Sequence, residues 1–447
     1  MNVGIVGAGL AGLAAGCELA GHGHRVTLFE KRPFAGGKTY TFTDSETGDV
    51  TDNGQHVFMH CTTEYTSFLR KLGTLHLARR QKRLRAPVFG PQGRRSVIAA
   101  APLPAPFHLL PSFVAYKHLG VRSKLRVGRL LAAVHRMRED ERLGLWEISF
   151  DAWLRDHGQR DEEIGRFWDF LLLPTLNARS SEVAASDALF VVREGFLASS
   201  KSAAIGLAKD GLDTLHVAPA IGYIEARGGT VELSSDVRRI DADGNRAAAV
   251  FADGTRREFD AVVCATGHRQ ALNLLPSSVT EDPAFGALAL MESAPIINLH
   301  CWFDRPVASF SMAAFVDSEL QWVFNRSRLS DERDAGREQL VVSLSGAQRY
   351  MAMDKGELER HFIPILRKAL PGSAQAKLIR FVAIKEPEAT FVPAPGLRRP
   401  PNSTRIVNLV VAGAYTATGW PATMESAVRS GNAAARAINV VCQGARK

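Results

Sequence analysis

The first thirty residues of this 447-residue chain contain an apolar strand, a glycine turn and a helix, and this order constrains the fold more than any other feature. Residues 3–6 lead into Gly7, Gly9 and Gly12, whose spacing is Gly-x-Gly-x-x-Gly. Glycine at these positions lets the backbone approach a pyrophosphate, and the first N–H groups of the following helix attract the anion. The pattern therefore predicts a dinucleotide site built on Gly7, Ala8, Gly9 and Gly12.

An acidic residue at the end of the second strand defines the sugar end of that dinucleotide. Residues 25–29 are predicted to form this strand, and Glu30 follows directly. A carboxylate at this distance accepts hydrogen bonds from both ribose hydroxyls, and its charge disfavours a 2′-phosphate. A tight turn without a ligand would also be rich in glycine, but here strand, turn, helix, strand and acid occur in the expected order. We therefore predict that Glu30 binds the adenosine ribose.

Two further glycine segments favour a flavin dinucleotide over a nicotinamide one. The first follows Glu30 and combines basic side chains with a second close backbone approach to phosphate. The second lies near the C-terminus, where an apolar strand ends in glycine and a helix with small residues on one face follows. A second helix start suits the flavin ring and ribityl chain of FAD. The predicted contacts are Lys31, Gly36, Gly37, Lys38, Gly413, Thr423 and Met424.

These motifs resemble those of the large flavoprotein group that contains amine oxidases, carotenoid desaturases and squalene-pathway oxidoreductases. The matching segments are residues 7–12 with Glu30, the pair at 36–37 and the Ala-Thr-Met-Glu-Ser-Ala-Val-Arg-Ser-Gly run at 422–431. Within the group, residues 52–57, 176–177 and 388–393 are most similar to hydroxysqualene dehydroxylases, also described as squalene-associated FAD-dependent desaturases. The resemblance implies an α/β fold: a Rossmann-like, glutathione-reductase-like FAD-binding domain with an α+β substrate domain that contains an antiparallel sheet and a helical, membrane-associating region.

The resemblance also implies a division of the chain and further cofactor contacts. FAD-binding pieces are expected at 1–75, 206–285 and 401–447, with a helical substrate and membrane-contact region at 76–205 and a substrate-domain sheet at 286–400. Residues 80–205 are predicted to be mainly helical, and residues 49–59 to form a strand. Gly54 and Gln55 are expected beside the flavin ring, and the backbone of Val237 beside the adenine.

Positive charge is concentrated in one segment of the chain. Residues 65–138 contain sixteen Lys or Arg and no Asp or Glu, although the formal net charge of the whole chain is +9. The basic residues of 79–129 flank a proline-rich apolar stretch that includes Phe107, Leu110 and Phe113. Apolar surface bordered by cations is typical of proteins that dip into one leaflet, and the prolines exclude a membrane-spanning helix. We expect peripheral contact with an anionic membrane. A helical substrate domain with a solvated basic face is the alternative.

Cysteine usage and the N-terminus indicate the compartment. The five cysteines are odd in number and form no Cys-x-x-Cys pair, which argues against a disulfide framework and a structural zinc site. The N-terminal apolar run has no basic segment before it and is already used by the nucleotide turn, so we predict no secretory signal. No nucleic-acid module is recognisable. We expect a cytoplasmic protein at the inner face of the cell membrane, with no metal site and no nucleic-acid partner.

The activity that the resemblance implies is redox chemistry on a long apolar isoprenoid with FAD as the cofactor. The FAD is expected to be non-covalent, because residues 414–418 contain no cysteine that could tether the flavin. Reductive dehydroxylation of hydroxysqualene to squalene is the leading interpretation. A phytoene-type carotenoid desaturase is the nearest alternative. A flavin amine oxidase is another, although Thr423 stands where such enzymes place an aromatic residue of their amine cage, which Tyr415 and Trp420 would have to replace. A prenyl-binding escort protein is the alternative without catalysis.

Dehydroxylation requires a proton donor near the carbinol and an apolar tunnel around the resulting cation. His56 is the predicted donor, because the resemblance places its loop near the flavin ring; the alternative is that it only packs beside the cofactor. Asp52 is expected to organise the same loop. Lys385 and Glu386 lie on a strand predicted to lead to the roof over the flavin, where they either approach the ring or form an exposed ion pair.

Overall fold

The computed structural model describes residues 1–330 and 336–444. Its strands are β1 (Asn2–Val6), β2 (Arg25–Phe29), β3 (Thr41–Thr43), β4 (Val50–Asp52), β5 (Val57–Met59), β6 (Ala78–Arg80), β7 (Arg85–Phe89), β8 (Arg95–Ala99), β9 (Ile205–Ala208), β10 (Thr230–Glu232), β11 (Val237–Ala242), β12 (Ala247–Phe251), β13 (Arg256–Phe259), β14 (Ala261–Cys264), β15 (Ser293–Phe303), β16 (Met312–Phe315), β17 (Trp322–Asn325), β18 (Glu338–Ser345), β19 (Leu378–Phe391) and β20 (Leu409–Val411).

The α-helices are α1 (Leu10–Gly21), α2 (Thr63–Lys71), α3 (Leu110–Val114), α4 (Val121–Arg136), α5 (Glu139–Leu143), α6 (Phe150–Asp156), α7 (Asp161–Glu163), α8 (Phe170–Leu176), α9 (Ala185–Phe190), α10 (Ala218–Glu225), α11 (His268–Leu274), α12 (Ser277–Thr280), α13 (Ala287–Leu290), α14 (Arg326–Leu329), α15 (Lys355–Ala369) and α16 (Met424–Gly444). Three π-helical segments adjoin them, at Ile164–Asp169, Val191–Leu197 and Asp213–Val217.

A five-stranded parallel sheet joins distant parts of the chain in the order β10-β2-β1-β14-β20. Strands β1, β2, β14 and β20 are short, largely apolar and buried, as expected for a parallel sheet covered on both faces, whereas the edge strand β10 is partly exposed. Helices α1 and α16 pack so closely together that a Cβ at Gly431 would lie 2.3 Å from the carbonyl oxygen of Ala11. The N-terminal, middle and C-terminal segments therefore share one core.

A seven-stranded sheet in the order β19-β15-β18-β17-β16-β7-β8 forms the second layer. Helix α15 covers one face of it, where Leu358 and Phe362 join the core formed by Ile297 and Leu344. Alternate residues of the same strands point the other way, towards a cavity between the two sheets. This sheet thus roofs the cavity, with α15 on its far side.

The prediction that residues 80–205 are mainly helical is wrong for their first part. Residues 78–80, 85–89 and 95–99 are strands, and β7 and β8 complete the seven-stranded sheet. Strand β7 pairs in parallel with β16, where Val88 lies opposite Ala314. This segment was not recognised as strand for two reasons. The partner strand of β7 is remote in sequence, and the arginines of the segment obscure the alternation of buried and exposed residues that indicates a strand.

The predicted strand at 49–59 is also interrupted. Strand β4 pairs with β3, whereas β5 pairs with β9 in a different sheet. Residues 53–56 between them form a loop. The side-chain amide of Asn53 holds this loop in place by donating to the carbonyl of Lys38 at 2.9 Å. Because of this break in strand pairing, the loop points towards the cavity.

Helices α3, α4 and α8 line the outer end of the cavity. Phe150, Trp153 and Leu154 of α6 are buried in the core of this helical region. Two of the π-helical segments supply cavity-lining side chains, including Phe167 and Phe196. Within the part of the chain that the structure describes, no helix is both long and apolar enough to cross a bilayer.

Candidate active site

The glycine turn at the N-terminus has the backbone geometry that close approach to a ligand requires. Gly7 adopts a φ of 109°, in the region that favours glycine. A Cβ at Gly12 would lie 2.0 Å from the carbonyl oxygen of Gly7, so the turn packs directly on helix α1. Gly9 caps this helix without a side-chain hydrogen bond. The first N–H groups of α1 are therefore available for an anion.

The acid at the end of β2 lies beside this turn. Glu30 is buried, and its carboxylate accepts hydrogen bonds from the backbone N–H groups of Ala8 at 2.9 Å and Arg32 at 3.0 Å. These contacts orient the carboxylate along the cavity wall. One of its faces is thus positioned for a ribose, as the spacing from the glycine turn predicts.

The second glycine pair packs against the first turn. The N–H of Gly36 donates to the carbonyl of Ala8 at 2.9 Å, and Gly36 has a φ of 106°. A Cβ at Gly37 would lie 2.8 Å from the Cα of Gly9. Two backbone segments therefore converge on one narrow site.

The C-terminal segment reaches the same cavity through hydroxyl groups of helix α16. Ser430 Oγ accepts the N–H of Gly413 at 2.9 Å and lies 2.7 Å from the hydroxyl of Thr416. Ser426 Oγ donates to the carbonyl of Ala414 at 2.9 Å. These bonds fix the loop between β20 and α16, which brings Gly413, Thr423 and Met424 to the cavity.

One cavity of about 1030 Å³ collects nearly all the predicted site residues. The predicted residues that line it are Gly7, Gly9, Glu30, Lys31, Gly36, Gly37, Lys38, Gly54, Gln55, His56, Val237, Gly413, Thr423 and Met424. Ala8 and Gly12 stand behind the wall and support the turn. Residues from both ends of the chain thus meet in a single space.

Much of the C-terminal motif has a structural role that its sequence does not reveal. Glu425 is buried, and its carboxylate accepts the backbone N–H groups of Glu64 at 3.1 Å and Tyr65 at 2.8 Å at the start of helix α2. Arg429 donates to the same carboxylate at 2.7 Å. The motif therefore holds the end of α2 to α16, in addition to placing the cofactor loop.

Arg399 is a site residue that the sequence analysis missed. Its guanidinium donates to the carbonyls of Ala414 at 2.6 Å and Tyr415 at 3.2 Å, and to the hydroxyl of Ser426 at 3.2 Å. A further bond reaches the carbonyl of Trp420 at 2.5 Å. Burial lowers its pKa to about 10, so the group stays charged at neutral pH. It joins both sides of the cofactor loop.

The loop after β4 is organised by Asp52, as predicted. Its Oδ1 accepts the N–H of Leu212 at 2.8 Å and the hydroxyl of Thr41 at 2.7 Å. Gly54 passes so close under the roof that a Cβ there would lie 2.1 Å from the side-chain amide nitrogen of Asn298. The loop is therefore held between the cofactor half of the cavity and the roof.

His56 lies in this loop and lines the cavity. Its Nδ1 is 3.0 Å from the carbonyl oxygen of Gly54, so this nitrogen carries the proton. Burial lowers the pKa of the imidazole, although Gly54 and the charge of Asp52 partly oppose the shift. The bond to Gly54 orients the ring beside the cavity.

The two ionisable residues predicted near the roof point in opposite directions. Lys385 Nζ donates to the carbonyl of Met351 at 2.8 Å and also to that of Met353, away from the cavity. Glu386 lines the cavity. The two side chains therefore form no ion pair with each other, and only the carboxylate faces the site.

The aromatic residues near the C-terminal motif do not form a cage. Tyr415 lines the cavity, but its ring packs under Gly413, where a Cβ would lie 2.3 Å from the ring. Trp420 packs edge-on against Phe190 at 5.1 Å, and Arg429 lies over its ring. Among the described residues that line the cavity there is no cysteine, and burial raises the pKa of Cys61 to about 12, so this thiol is unreactive.

Several buried polar atoms of the cavity have no hydrogen-bond partner within the described residues. They are Oδ1 of Asn53, Nε2 of Gln55, Oδ1 of Asn298 and the hydroxyl of Tyr415. Buried polar atoms are normally satisfied, so these positions match a ligand rich in hydrogen-bonding groups. Together with the glycine cradle, this donor and acceptor set fits a flavin dinucleotide.

The outer half of the cavity is apolar. It continues from Val57 and Met59 towards helices α3 and α4, and its wall includes Leu84, Ile98, Phe107, Leu110, Phe113 and Leu131. A polar cofactor half and an apolar outer half therefore form one continuous space. Such a tunnel accommodates a long hydrocarbon and keeps water away from the junction.

Comparison with known proteins agrees with this geometry. Residues 10–439 match the family described as flavin containing amine oxidoreductase. Hydroxysqualene dehydroxylases of Rhodopseudomonas palustris and Sinorhizobium fredii are 29% and 30% identical, and each alignment covers 97% of both chains. A probable zeta-carotene desaturase of Synechococcus elongatus is 27% identical over 98% of both chains. These relatives confirm the resemblance stated from the motifs.

A solved structure confirms the mixed α/β fold. Cyclohexylamine oxidase from Brevibacterium oxydans superposes with a TM-score of 0.73 over 99% of each chain at 18% identity. Since the family match spans most of the chain and the glycine cradle fits its cofactor, the protein belongs to the flavin containing amine oxidoreductases and is a flavin-dependent oxidoreductase.

Proposed function

We propose that the protein is an FAD-dependent enzyme that converts hydroxysqualene to squalene, a step of squalene and hopanoid biosynthesis. The pyrophosphate would lie on the turn at Gly7 and Gly9, the ribose on Glu30 and the adenine beside Val237. The ring would lie between Gln55 and Met424. When bound and reduced, FAD supplies a hydride. The cofactor is proposed to be non-covalent, since the described lining residues include no cysteine.

The observation that carries the proposal is the continuity of the apolar tunnel with the cofactor half of one cavity. The tunnel wall consists mainly of aliphatic and aromatic side chains, with Ser112 and Thr175 among them, whereas charged side chains line the cofactor half and its junction with the tunnel. A long isoprenoid with one oxygen function matches this division. Its hydrocarbon arms would lie in the tunnel, and its carbinol would lie at the polar junction, where water is excluded around a developing allylic cation.

Anaerobic incubation of photoreduced enzyme with hydroxysqualene is the test of this function. We expect about one squalene per reduced flavin, because each hydride replaces one hydroxide. Oxidised enzyme and photoreduced free FAD are the controls, and neither should form squalene. Absence of squalene, together with desaturation of a phytoene-like substrate by oxidised enzyme, would assign the protein to the carotenoid desaturases. That activity uses the same tunnel with electrons flowing in the opposite direction.

The other two alternatives have less support. An amine oxidase would cage its amine between aromatic rings, but Tyr415 lies under Gly413 and Trp420 packs against Phe190. An escort protein without redox activity has no need for a complete phosphate cradle. Purified protein that stays colourless after addition of FAD would nevertheless favour the escort function.

We further propose that the tunnel opens towards the inner face of the cell membrane. Phe107 is 57% exposed and Leu110 is 50% exposed, and both also line the cavity. Val114, Val121 and Leu125 extend this exposed apolar patch. Because the patch coincides with the tunnel wall, an apolar substrate would pass from lipid to tunnel without crossing water.

A cationic group adjoins the apolar patch. Arg80, Lys82, Arg83 and Lys201 surround a shallow surface pocket with His60. This segment connects to the apolar stretch where the N–H of Ala100 donates to the carbonyl of Leu84 at 3.0 Å. Anionic headgroups match such a group. Two of the predicted membrane-facing cations turn inwards instead: Arg79 donates to the carbonyl of Arg328, and Arg126 pairs with Glu163.

Charge reversal provides a test of this surface. Changing Arg80, Lys82, Arg83 and Arg85 together to Glu is expected to reduce sedimentation with anionic liposomes strongly, since each well-placed cation contributes about 1 kcal/mol. The matched control reverses four exposed cations on the far side of the roof, Lys355, Arg360, Lys368 and Lys377, and should leave sedimentation nearly unchanged. Equal sedimentation of both variants would remove the proposed membrane contact.

A further inference from the structure

The roof of the cavity carries polar side chains in two adjacent cross-strand rows. In the first row, Trp322 of β17 lies opposite Ser343 of β18, which lies opposite Asn298 of β15. In the second row, Ser345 of β18 lies opposite Ile296 of β15, which in turn lies opposite Glu386 of β19. All six side chains line the cavity. Since neighbouring strands are about 4.8 Å apart, four polar groups fall within one small area of the roof.

Among the described residues, the fold engages one polar atom of these four side chains, the Nδ2 of Asn298, which donates to the carbonyl of Asn53 at 3.3 Å. Asn298 is 6% exposed, and its Oδ1 has no hydrogen-bond partner among the described residues. Within the same residues, the hydroxyls of Ser343 and Ser345 and the carboxylate of Glu386 form no hydrogen bond or ion pair. A carboxylate placed without a partner in a largely apolar cavity costs stability, so its retention points to a ligand.

The other ionisable groups near the junction are already engaged. His56 donates its Nδ1 proton to the carbonyl of Gly54. Lys38 Nζ donates to the carbonyl of Glu388, and the carboxylate of Glu388 pairs with Arg269 at 3.1 Å. Glu386 is therefore the ionisable group best placed to act on a substrate at the roof.

We propose that Glu386 is the catalytic acid of this site, and that Asn298 and Ser343 hold the oxygen of the substrate beside it. The inference rests on the proposed dehydroxylation. The carbinol C–O bond breaks with its electron pair remaining on oxygen, the carboxyl proton of Glu386 moves to that oxygen, and water leaves. The same carbon gains the hydride that reduced FAD supplies, so the substrate is reduced by two electrons and the flavin is oxidised.

The same carboxylate also acts after the proton has left. As an anion it faces the allylic cation and lowers the energy of that charge until the C–H bond has formed. The titratable groups that face Glu386 from packed segments are Lys38, Tyr40 and His56. Its strand neighbours Lys385 and Glu388 have partners elsewhere.

The first test is single-turnover reoxidation of photoreduced enzyme by hydroxysqualene, followed through the flavin absorbance. Glu386→Gln should slow the step about 100-fold or more, as for loss of a general acid, with little change in the half-saturating substrate concentration. Glu386→Asp should recover part of the rate. Glu225→Gln, an exposed carboxylate change on α10, is the control.

The second test does not require turnover. Farnesylamine carries an ammonium group in place of the allylic cation, and its binding can be followed anaerobically through tryptophan fluorescence, since Trp322 lines the cavity. Glu386→Gln should weaken this binding about tenfold or more because an ion pair is lost, while farnesol binding and FAD affinity stay unchanged. The carboxylate should therefore affect the charged analogue selectively.

The outcomes separate the two proposals. Selective loss of farnesylamine binding in Glu386→Gln, without squalene formation by the wild type, would refute dehydroxylation but support a cation-facing carboxylate. Squalene formation with an unchanged rate in Glu386→Gln would refute the role of Glu386 and leave dehydroxylation intact. Equal binding of farnesylamine to the wild type and to Glu386→Gln would also refute the role of Glu386. The Asp variant provides the comparison if the Gln variant does not fold.

Discussion

Gly9→Ala is expected to yield a folded protein that no longer retains FAD. In the structure, a Cβ at this position meets only the Cα of Gly37 at 3.8 Å, which is an ordinary contact. Gly9 nevertheless lines the cavity at the start of helix α1, where the proposed pyrophosphate would approach the backbone. The added methyl group should cost about 3 kcal/mol of binding free energy, or more than about 100-fold in the dissociation constant. Flavin titration of apoprotein measures this loss.

A neighbouring glycine provides the contrast. A Cβ at Gly12 would lie 2.0 Å from the carbonyl oxygen of Gly7, and a backbone atom cannot move aside easily. Gly12→Ala should therefore destabilise the fold itself, by about 3 kcal/mol, as well as abolish FAD binding. Denaturant unfolding of the two apoproteins separates these effects.

A third glycine serves as the control for both. Gly222 lies in α10, and a Cβ there would have no neighbour within 4 Å. Gly222→Ala should retain FAD and gain about 0.5–1 kcal/mol of stability, because alanine loses less entropy in a helix. If Gly9→Ala binds FAD as tightly as Gly222→Ala, the pyrophosphate does not lie on this turn.

Replacement of Arg399 by Met should disorganise the cofactor loop. The guanidinium bonds to carbonyls on both sides of that loop and to Ser426 at the start of α16. Loss of these charge-assisted bonds should cost about 3 kcal/mol or more of unfolding free energy and leave buried carbonyls without donors. We expect weaker FAD binding and an altered visible circular dichroism spectrum of the bound flavin.

The adjacent arginine gives a matched control. Arg398 is exposed, and its guanidinium lies over the ring of Trp146 at 4.6 Å. Arg398→Ala should change stability by less than about 1 kcal/mol, with a normal flavin spectrum. Arg399→Lys retains the charge but not the planar set of donors, so it should recover stability only in part. A normal flavin spectrum in Arg399→Met would show that the loop holds its shape without this residue.

The cofactor site was largely predictable because its determinants are local. A glycine turn between a strand and a helix, followed by an acid after the next strand, has few structural solutions, and the segments at 7–12 and 36–37 form the expected cradle. The hairpin of β12 and β13 is also local, since a short turn joins these two neighbouring strands.

The roof and the basic segment at 79–129 were less predictable because they depend on pairing between distant strands. Strand β7 finds its partner in β16, which no local pattern specifies. Arg79 and Arg126 belong to the basic segment, yet both make contacts within the protein. A count of charges gives the sign of a surface, but the direction of each side chain depends on the packing of its element.

The sequence by itself determined the converging glycine turns, the acid at Glu30 beside them and the family, because these depend on short spacings along one chain. Only the tertiary structure decided which ionisable group faces the substrate space. Lys385 and Glu386 are neighbours, and successive residues of a strand point to opposite faces, so a shift in register of one residue would exchange them. Pairing of β19 with β15 places Glu386 in the cavity, whereas Lys385 donates to the carbonyls of Met351 and Met353 on the opposite face of the sheet.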